Sequence, residues 1–203
     1  MIKEIAKSSL KEGRPWSRLP VMSESLRASI HGSSDFFGFN YYTSRLVELK
    51  NTDFESLEPP SWDKDSKLLT TTDPKWLQAK SDWLYSVPQG LEDVLVWIKD
   101  NYQSPPIFIT ENGWSDDGEH EDNGRIDYIT SHLAVVSKAI NEHNCNIMGY
   151  TVWSIIDNFE WLRGYTEKFG MFSVNLESDT KERSPKKSVQ FMKEVIANKF
   201  VLH

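Results

Sequence analysis

Three short runs in this chain are apolar on both faces, and helix-like stretches separate the second from each of the others. They are Asp35-Phe36-Phe37-Gly38-Phe39-Asn40-Tyr41-Tyr42, Pro106-Ile107-Phe108-Ile109-Thr110-Glu111, and Ile147-Met148-Gly149-Tyr150-Thr151-Val152-Trp153-Ser154. Strands of that kind need cover on both sides, which points to parallel strands packed under helices. The intervening sequence supplies the helices. Pro88 opens one, with Leu91, Val94, Leu95 and Ile98 at i, i+3, i+4 and i+7. Another is expected from Arg125 to His143, along a stripe of Ile126, Ile129, Leu133, Val136 and Ile140. Ser184-Pro185 reads as the N-cap and first turn of a last helix lined by Val189, Met192, Val195 and Ile196. A short early helix is expected from Ser23 to His31, closed by Gly32. This order is the βα repeat of a parallel α/β fold. The polar segment from Lys50 to Asp82, rich in Pro, Asp, Ser and Thr, reads as a long ordered loop on the functional face.

A chain of 203 residues supports one sizeable core. Its net charge of −7 argues against nucleic acid or an anionic membrane as partner and suits a neutral substrate. No apolar stretch is long enough for a membrane-spanning helix. The start, Met1-Ile2-Lys3-Glu4-Ile5, lacks the apolar core of a secretory signal. Cys145 is the only cysteine, so no internal disulfide is available, and the five histidines show no metal spacing. Neither a metal nor a cofactor is expected. His132 falls within a helical pattern and is expected on an exposed helix face.

The polar residues gather where parallel α/β folds keep their sites, at the C-terminal ends of the strands. The first strand offers Asn40 and Tyr42, two positions apart and therefore on one side. The second offers Glu111, a carboxylate that closes a wholly apolar strand beside Asn112-Gly113 and has no evident packing reason to be there. The third offers Trp153, followed by a loop with Asp157, Asn158, Glu160 and Trp161. Eight tryptophans are many for this length. Several adjoin polar residues at strand ends, the setting in which an indole face stacks on a sugar ring while carboxylates bind its hydroxyls.

Ile109-Thr110-Glu111-Asn112-Gly113 resembles the nucleophile motif of glycoside hydrolase family 1, the β-glucosidase family. Further stretches resemble that family's landmarks in order: Arg18-Leu19-Pro20, Asp35 to Thr43, Ser81 to Tyr85, Trp153 to Trp161, Gly164-Tyr165, Lys168-Phe169-Gly170 and Arg183 to Lys186. The resemblance covers nearly the whole chain, and its style is closest to animal or insect members. It implies a (β/α)8 TIM barrel, of which residues 1–203 would be the C-terminal part of one catalytic domain, carrying about the last three βα units. The Asn-Glu-Pro motif that carries the family's acid/base does not occur in these residues.

By that resemblance the activity is retaining β-glycoside hydrolysis, which uses two carboxyl groups about 5–5.5 Å apart. Glu111 is the expected nucleophile and Tyr42 the residue that orients it. Asn40 is expected near the sugar 2-hydroxyl or a neighbour of the nucleophile. Glu160 and Trp161 are expected at the 4- and 6-hydroxyls, Trp153 at the pocket floor, Phe169 on the C6 side and Trp83 under the leaving group. A carboxylate at position 160 repels a 6-phosphate, so an unphosphorylated β-glucoside or related oligosaccharide is the expected small-molecule partner. The absent N-terminal part of the barrel is the other expected partner. A secreted, lysosomal or digestive setting is compatible with the full-length family member. Two alternatives stand beside this reading: a glycan-binding relative without catalysis, and an inactive fragment.

Overall fold

Residues 2–49 and 59–199 are described by a computed structural model. In chain order the elements are α1 (Ile2–Lys11), α2 (Glu24–Ile30), β1 (Phe37–Asn40), β2 (Leu46–Leu49), α3 (Trp62–Ser66), β3 (Leu68–Thr71), α4 (Pro88–Asn101), β4 (Ile107–Gly113), α5 (Asn123–Asn141), β5 (Ile147–Trp153), β6 (Phe172–Val174), β7 (Arg183–Pro185) and α6 (Lys187–Asn198). They form two compact units: Met1–Ser34 with Arg45–Asp73, and Asp35–Ser44 with Pro74–His203. Among the described residues no helix is long and apolar enough to cross a membrane.

The first unit is held by local signals. Ser23 accepts from the Leu26 backbone N–H and starts α2, as its position before an apolar-periodic run requires. Arg18 makes a two-pronged ion pair with Asp65, at 2.7 and 2.5 Å. The expected Lys50–Asp82 loop needs correcting. Lys50 and residues 51–58 lie outside the described residues, but Ser61 then caps α3 and β3 pairs antiparallel with β2. Four-residue strands with every β2 side chain exposed carry little periodic signal.

In the second unit β4 lies between β1 and β5, parallel to both. Register pairs Asn40 with Glu111 and Gly113 with Trp153, so the C-terminal ends of all three strands meet on one edge. Helices α4 and α5 cover one face. Leu91, Leu95 and Ile98 meet Ile107, Ile109, Val136 and Ala139 there, with Phe37, Phe39 and Tyr150 packed around them. Among the described residues of this unit, the cover from α4 and α5 lies on this face. The other carries Phe36 and Met148, about half exposed, and turns toward what is the interior of a closed barrel.

Two expectations about the helices are corrected. The buried stripe of α5 runs through Arg125, Tyr128, Ile129, His132, Val136 and Ala139, while Ile140 is exposed. Polar side chains with buried partners belong to that stripe, and a count of apolar residues passes over them. Ser184-Pro185 does not open α6. Both residues sit in β7 against β6, and the N-cap is Lys186, whose side chain turns into the interior.

His132 is fully buried rather than on an exposed helix face. Its ring stacks on Tyr128, centroids 3.8 Å apart, and its Nδ1–H donates to the Tyr128 carbonyl at 2.7 Å. Nε2 has no partner among the described residues. Burial lowers the imidazole from its ordinary 6.5 to about 4. The unfolded chain therefore binds this proton first as pH falls. The neutral ring's contribution is complete above 6.5 and lost on descending toward 4, about 3 kcal/mol in all. Urea denaturation from pH 7 to 4 is expected to show this loss, and His132→Phe is expected to remove most of it. An unchanged pH dependence in that variant would mean other groups carry it.

Candidate active site

β4 delivers Glu111 to the shared strand edge, and the chain leaving β1 delivers Tyr42 to it. The Tyr42 hydroxyl donates to Glu111 Oε2 at 2.6 Å. Tyr42 is half-buried; burial, and then the adjacent Glu111 carboxylate, push its phenol well above the ordinary value, so it remains a donor. Tyr41, one residue earlier, turns the opposite way. It is buried against the helices and donates to the Val87 carbonyl at 2.6 Å.

β5 delivers Trp153 beside Gly113. A Cβ on Gly113 would lie 2.0 Å from the Trp153 carbonyl oxygen, so glycine is the residue that lets these two strand ends approach. The Trp153 Nε1–H donates to Glu160 Oε1 at 3.3 Å. Glu160 is half-buried and titrates above the ordinary range, first because of burial and then because of the neighbouring carboxylates Glu167 and Glu111. The Trp153 and Asn158 hydrogen bonds oppose that rise.

The aromatic wall is built from Tyr42, Trp83 and Phe169. Trp83 and Phe169 stack, centroids 6.5 Å apart and planes at 20°, and Tyr42 presents its edge to both. These groups surround an opening of about 330 Å³, lined by Tyr42, Trp83, Glu111, Trp153, Glu160, Trp161 and Phe169 together with Leu162, Arg163 and Glu167. Phe169 is buried, Trp83 is 40% exposed at the rim, and Trp161 is 83% exposed. Asn40 alone of the expected site residues is not in the lining. It is exposed and accepts from the Thr110 hydroxyl at 2.5 Å, beside the candidate nucleophile rather than within the opening.

Residue patterns had not singled out Glu167 or Arg163. Glu167 is buried, accepts from the Ser81 hydroxyl at 2.6 Å and faces Arg163 Nε at 3.4 Å. Arg163 also reaches Asp82, at 2.5 Å. The available signal was the position of Glu167 two residues before Phe169. Three carboxylates and one guanidinium thus share an opening walled by aromatic rings. That chemistry binds hydroxyl groups by hydrogen bonds and a sugar ring by stacking, and it repels an anion. Among the described residues no group of three His, Cys, Asp or Glu side chains could hold a metal ion.

Behind the Phe169 wall lies a buried ionic cluster. Arg125 pairs with Asp122 and, at 2.5 Å, with Asp116, and donates to the Lys168 carbonyl at 3.0 Å. Lys186 Nζ lies 3.2 Å from Asp116 and 3.4 Å from Asp157. Asp157 in turn accepts from the Gly170 backbone N–H at 2.9 Å. Phe169 is therefore held by charge-assisted bonds to the residues on both sides of it.

Parallel strands whose C-terminal ends gather carboxylates and stacked aromatics around one opening define part of a (β/α)8-barrel site. Residues 2–201 match Glycosyl hydrolase family 1, and the chain belongs to that family. It is 36% identical over 198 residues to "Myrosinase 1" of Brevicoryne brassicae, covering 97% of this chain and 42% of that protein. It is 38% identical over 200 residues to human "Cytosolic beta-glucosidase", covering 96% of this chain and 41% of the relative. The solved structure "Aphid myrosinase" superimposes with a TM-score of 0.87 at 35% identity, over 96% of this chain and 41% of that one. The chain spans about two fifths of the length of these relatives and forms a partial barrel.

Lys186→Met is expected to leave Asp116 and Asp157 buried without their shared ammonium. Breaking a buried pair in this way costs about 3–5 kcal/mol, which urea denaturation at neutral pH measures directly. A loss within about 0.5 kcal/mol, the range of an ordinary surface substitution, would show that the cluster does not depend on Lys186.

Proposed function

We propose that this chain is the nucleophile-bearing part of a retaining β-glycosidase domain, with Glu111 as nucleophile and unphosphorylated β-glucosides or related β-glycosides as substrates. The observation that carries the proposal is the 2.6 Å hydrogen bond from Tyr42 to Glu111 at the end of an apolar central strand, inside an opening lined by tryptophans. Similarity to proteins named as β-glucosidases and myrosinases supports it.

In the proposed reaction Glu111 attacks the anomeric carbon as the leaving oxygen departs, giving a covalent glycosyl–enzyme that water then hydrolyses. The phenol of Tyr42 holds one carboxylate oxygen and leaves the other to attack. Stacking between Trp83 and Phe169 gives the sugar or its leaving group a flat apolar face, and Glu160, held by Trp153, receives ring hydroxyls. The second carboxyl group belongs to the strands that complete the barrel. The exposed faces of Phe36 and Met148 support the reading that this remaining part covers the open side of the sheet.

Labelling by an activated 2-deoxy-2-fluoro-β-glucoside tests the assignment. In a barrel completed by the N-terminal part, the label is expected on Glu111, and Glu111→Gln is expected to abolish it. A peptide labelled elsewhere would overturn the role of Glu111.

Specificity gives a second test. Hydrogen bonds to a charged group contribute about 1.5–3 kcal/mol, so Glu160→Ser in the completed barrel should slow glucoside turnover about 10–100-fold. The 6-phosphoglucoside should lose much less, because the repelling charge is removed as well. Equal losses on both substrates would put Glu160 outside the sugar-binding set.

A further inference from the structure

Asn112 follows Glu111 on β4, so its side chain takes the opposite direction, into the interior, where it is fully buried. Each hydrogen-bonding position of its amide that a buried Asn can readily fill has a partner. Nδ2 donates to the Tyr41 carbonyl at 2.8 Å and to the Tyr128 hydroxyl at 3.0 Å, and Oδ1 accepts from the Tyr150 hydroxyl at 2.6 Å. The amide orientation is fixed by this set, because a carbonyl oxygen only accepts. The Tyr128 hydroxyl, having accepted from Asn112, donates its own proton to the Tyr42 carbonyl at 2.7 Å. Tyr128 itself is held on α5 between Trp114, at 5.3 Å, and His132, at 3.8 Å.

These bonds act where regular pairing has stopped. The β1 ladder ends at Asn40 after a register shift, and beyond it the Tyr41 N–H donates to the Glu111 carbonyl at 2.9 Å. The carbonyls of Tyr41 and Tyr42 are then held by side chains from β4 and α5. We propose that Asn112 and Tyr128 are positioning residues that hold the Tyr42 main chain so that its phenol meets Glu111. The inference rests on the glycosidase reading of Glu111 and names what keeps its orienting partner in place. Burial pushes the Tyr128 and Tyr150 phenols above their ordinary values, so both remain protonated donors wherever the fold is stable. The link is therefore neutral along its whole length and adds no charge beside the carboxylate it serves.

The proposal is tested on the 203-residue chain through the Tyr42 hydroxyl proton. A phenol donating to a carboxylate at 2.6 Å gives a downfield, exchange-protected proton resonance, assigned by its loss in Tyr42→Phe. In Tyr128→Phe, which keeps the ring and removes only the hydroxyl, this resonance is expected to move upfield and exchange about fivefold faster, the size set by one lost neutral hydrogen bond. Tyr150→Phe, acting one bond further away through Asn112, is expected to shift it in the same direction by less, and serves if Tyr128→Phe does not fold. A less stable but folded Tyr128→Phe with an unmoved Tyr42 resonance would make the hydroxyl merely structural and overturn the inference. If Tyr42→Phe removes no downfield resonance, the Tyr42–Glu111 bond is absent, and the glycosidase reading fails instead.

Discussion

Parallel pairing of β4 with a neighbour on each side is the constraint that everything else in the site obeys. Parallel neighbours need a crossover between them, and α5 is the crossover between β4 and β5. Because all three strands run one way, their C-terminal residues arrive together, and Tyr42, Glu111 and Trp153 come from distant parts of the chain to one edge. An antiparallel neighbour would send its own end to the far side of the sheet. The close approach at Gly113, where even a methyl group would strike the Trp153 carbonyl, makes that alignment tight enough for a single opening.

Charge is distributed in two ways around this opening. Behind Phe169, the carboxylates of Asp116, Asp122 and Asp157 meet Arg125 and Lys186 in a cluster that is buried throughout. Such a cluster adds little net stability over an apolar core, because each ion has lost its hydration. What it contributes is direction, since each bond has one geometry. Among the described residues lining the opening itself, Glu111, Glu160 and Glu167 share one cation, Arg163, and the excess negative charge remains. A polyol tolerates that excess because it brings donors and no charge.

Much of what gathers at the candidate site was legible in the sequence because its signals are local. A glutamate that ends an apolar strand beside Asn-Gly stands out, and period-two alternation separates Tyr41 from Tyr42. The α4 stripe of Leu91, Leu95 and Ile98 follows from spacing alone. What stayed hidden depends on partners far away in the chain. Arg125 and His132 look like surface residues of α5 until the Lys168 carbonyl and the Tyr41 ring are placed against them. Ser184-Pro185 has the composition of a helix start, yet Lys186 must enter the interior to meet two aspartates, and the residues before it are taken up by β6. Glu167 is marked locally only by its nearness to Phe169; its burial follows from Ser81, on a loop before α4.

The opposed tyrosines at the end of β1 carry a cost that belongs to folding rather than to chemistry. If β1 slipped by one residue, another tyrosine would face Glu111 and another phenylalanine would face the helices, since Phe36-Phe37 and Tyr41-Tyr42 are both doublets. The contact that matters most for the site is thus one that a wrong register can imitate. Discrimination has to come from the residues between the doublets. The slip would drive Asn40 into the apolar layer without its Thr110 partner, and would replace the Phe39 ring there by the bare backbone of Gly38. Gly38 and Asn40 act as the register's proofreaders, penalising a misaligned sheet that the tyrosines alone would accept.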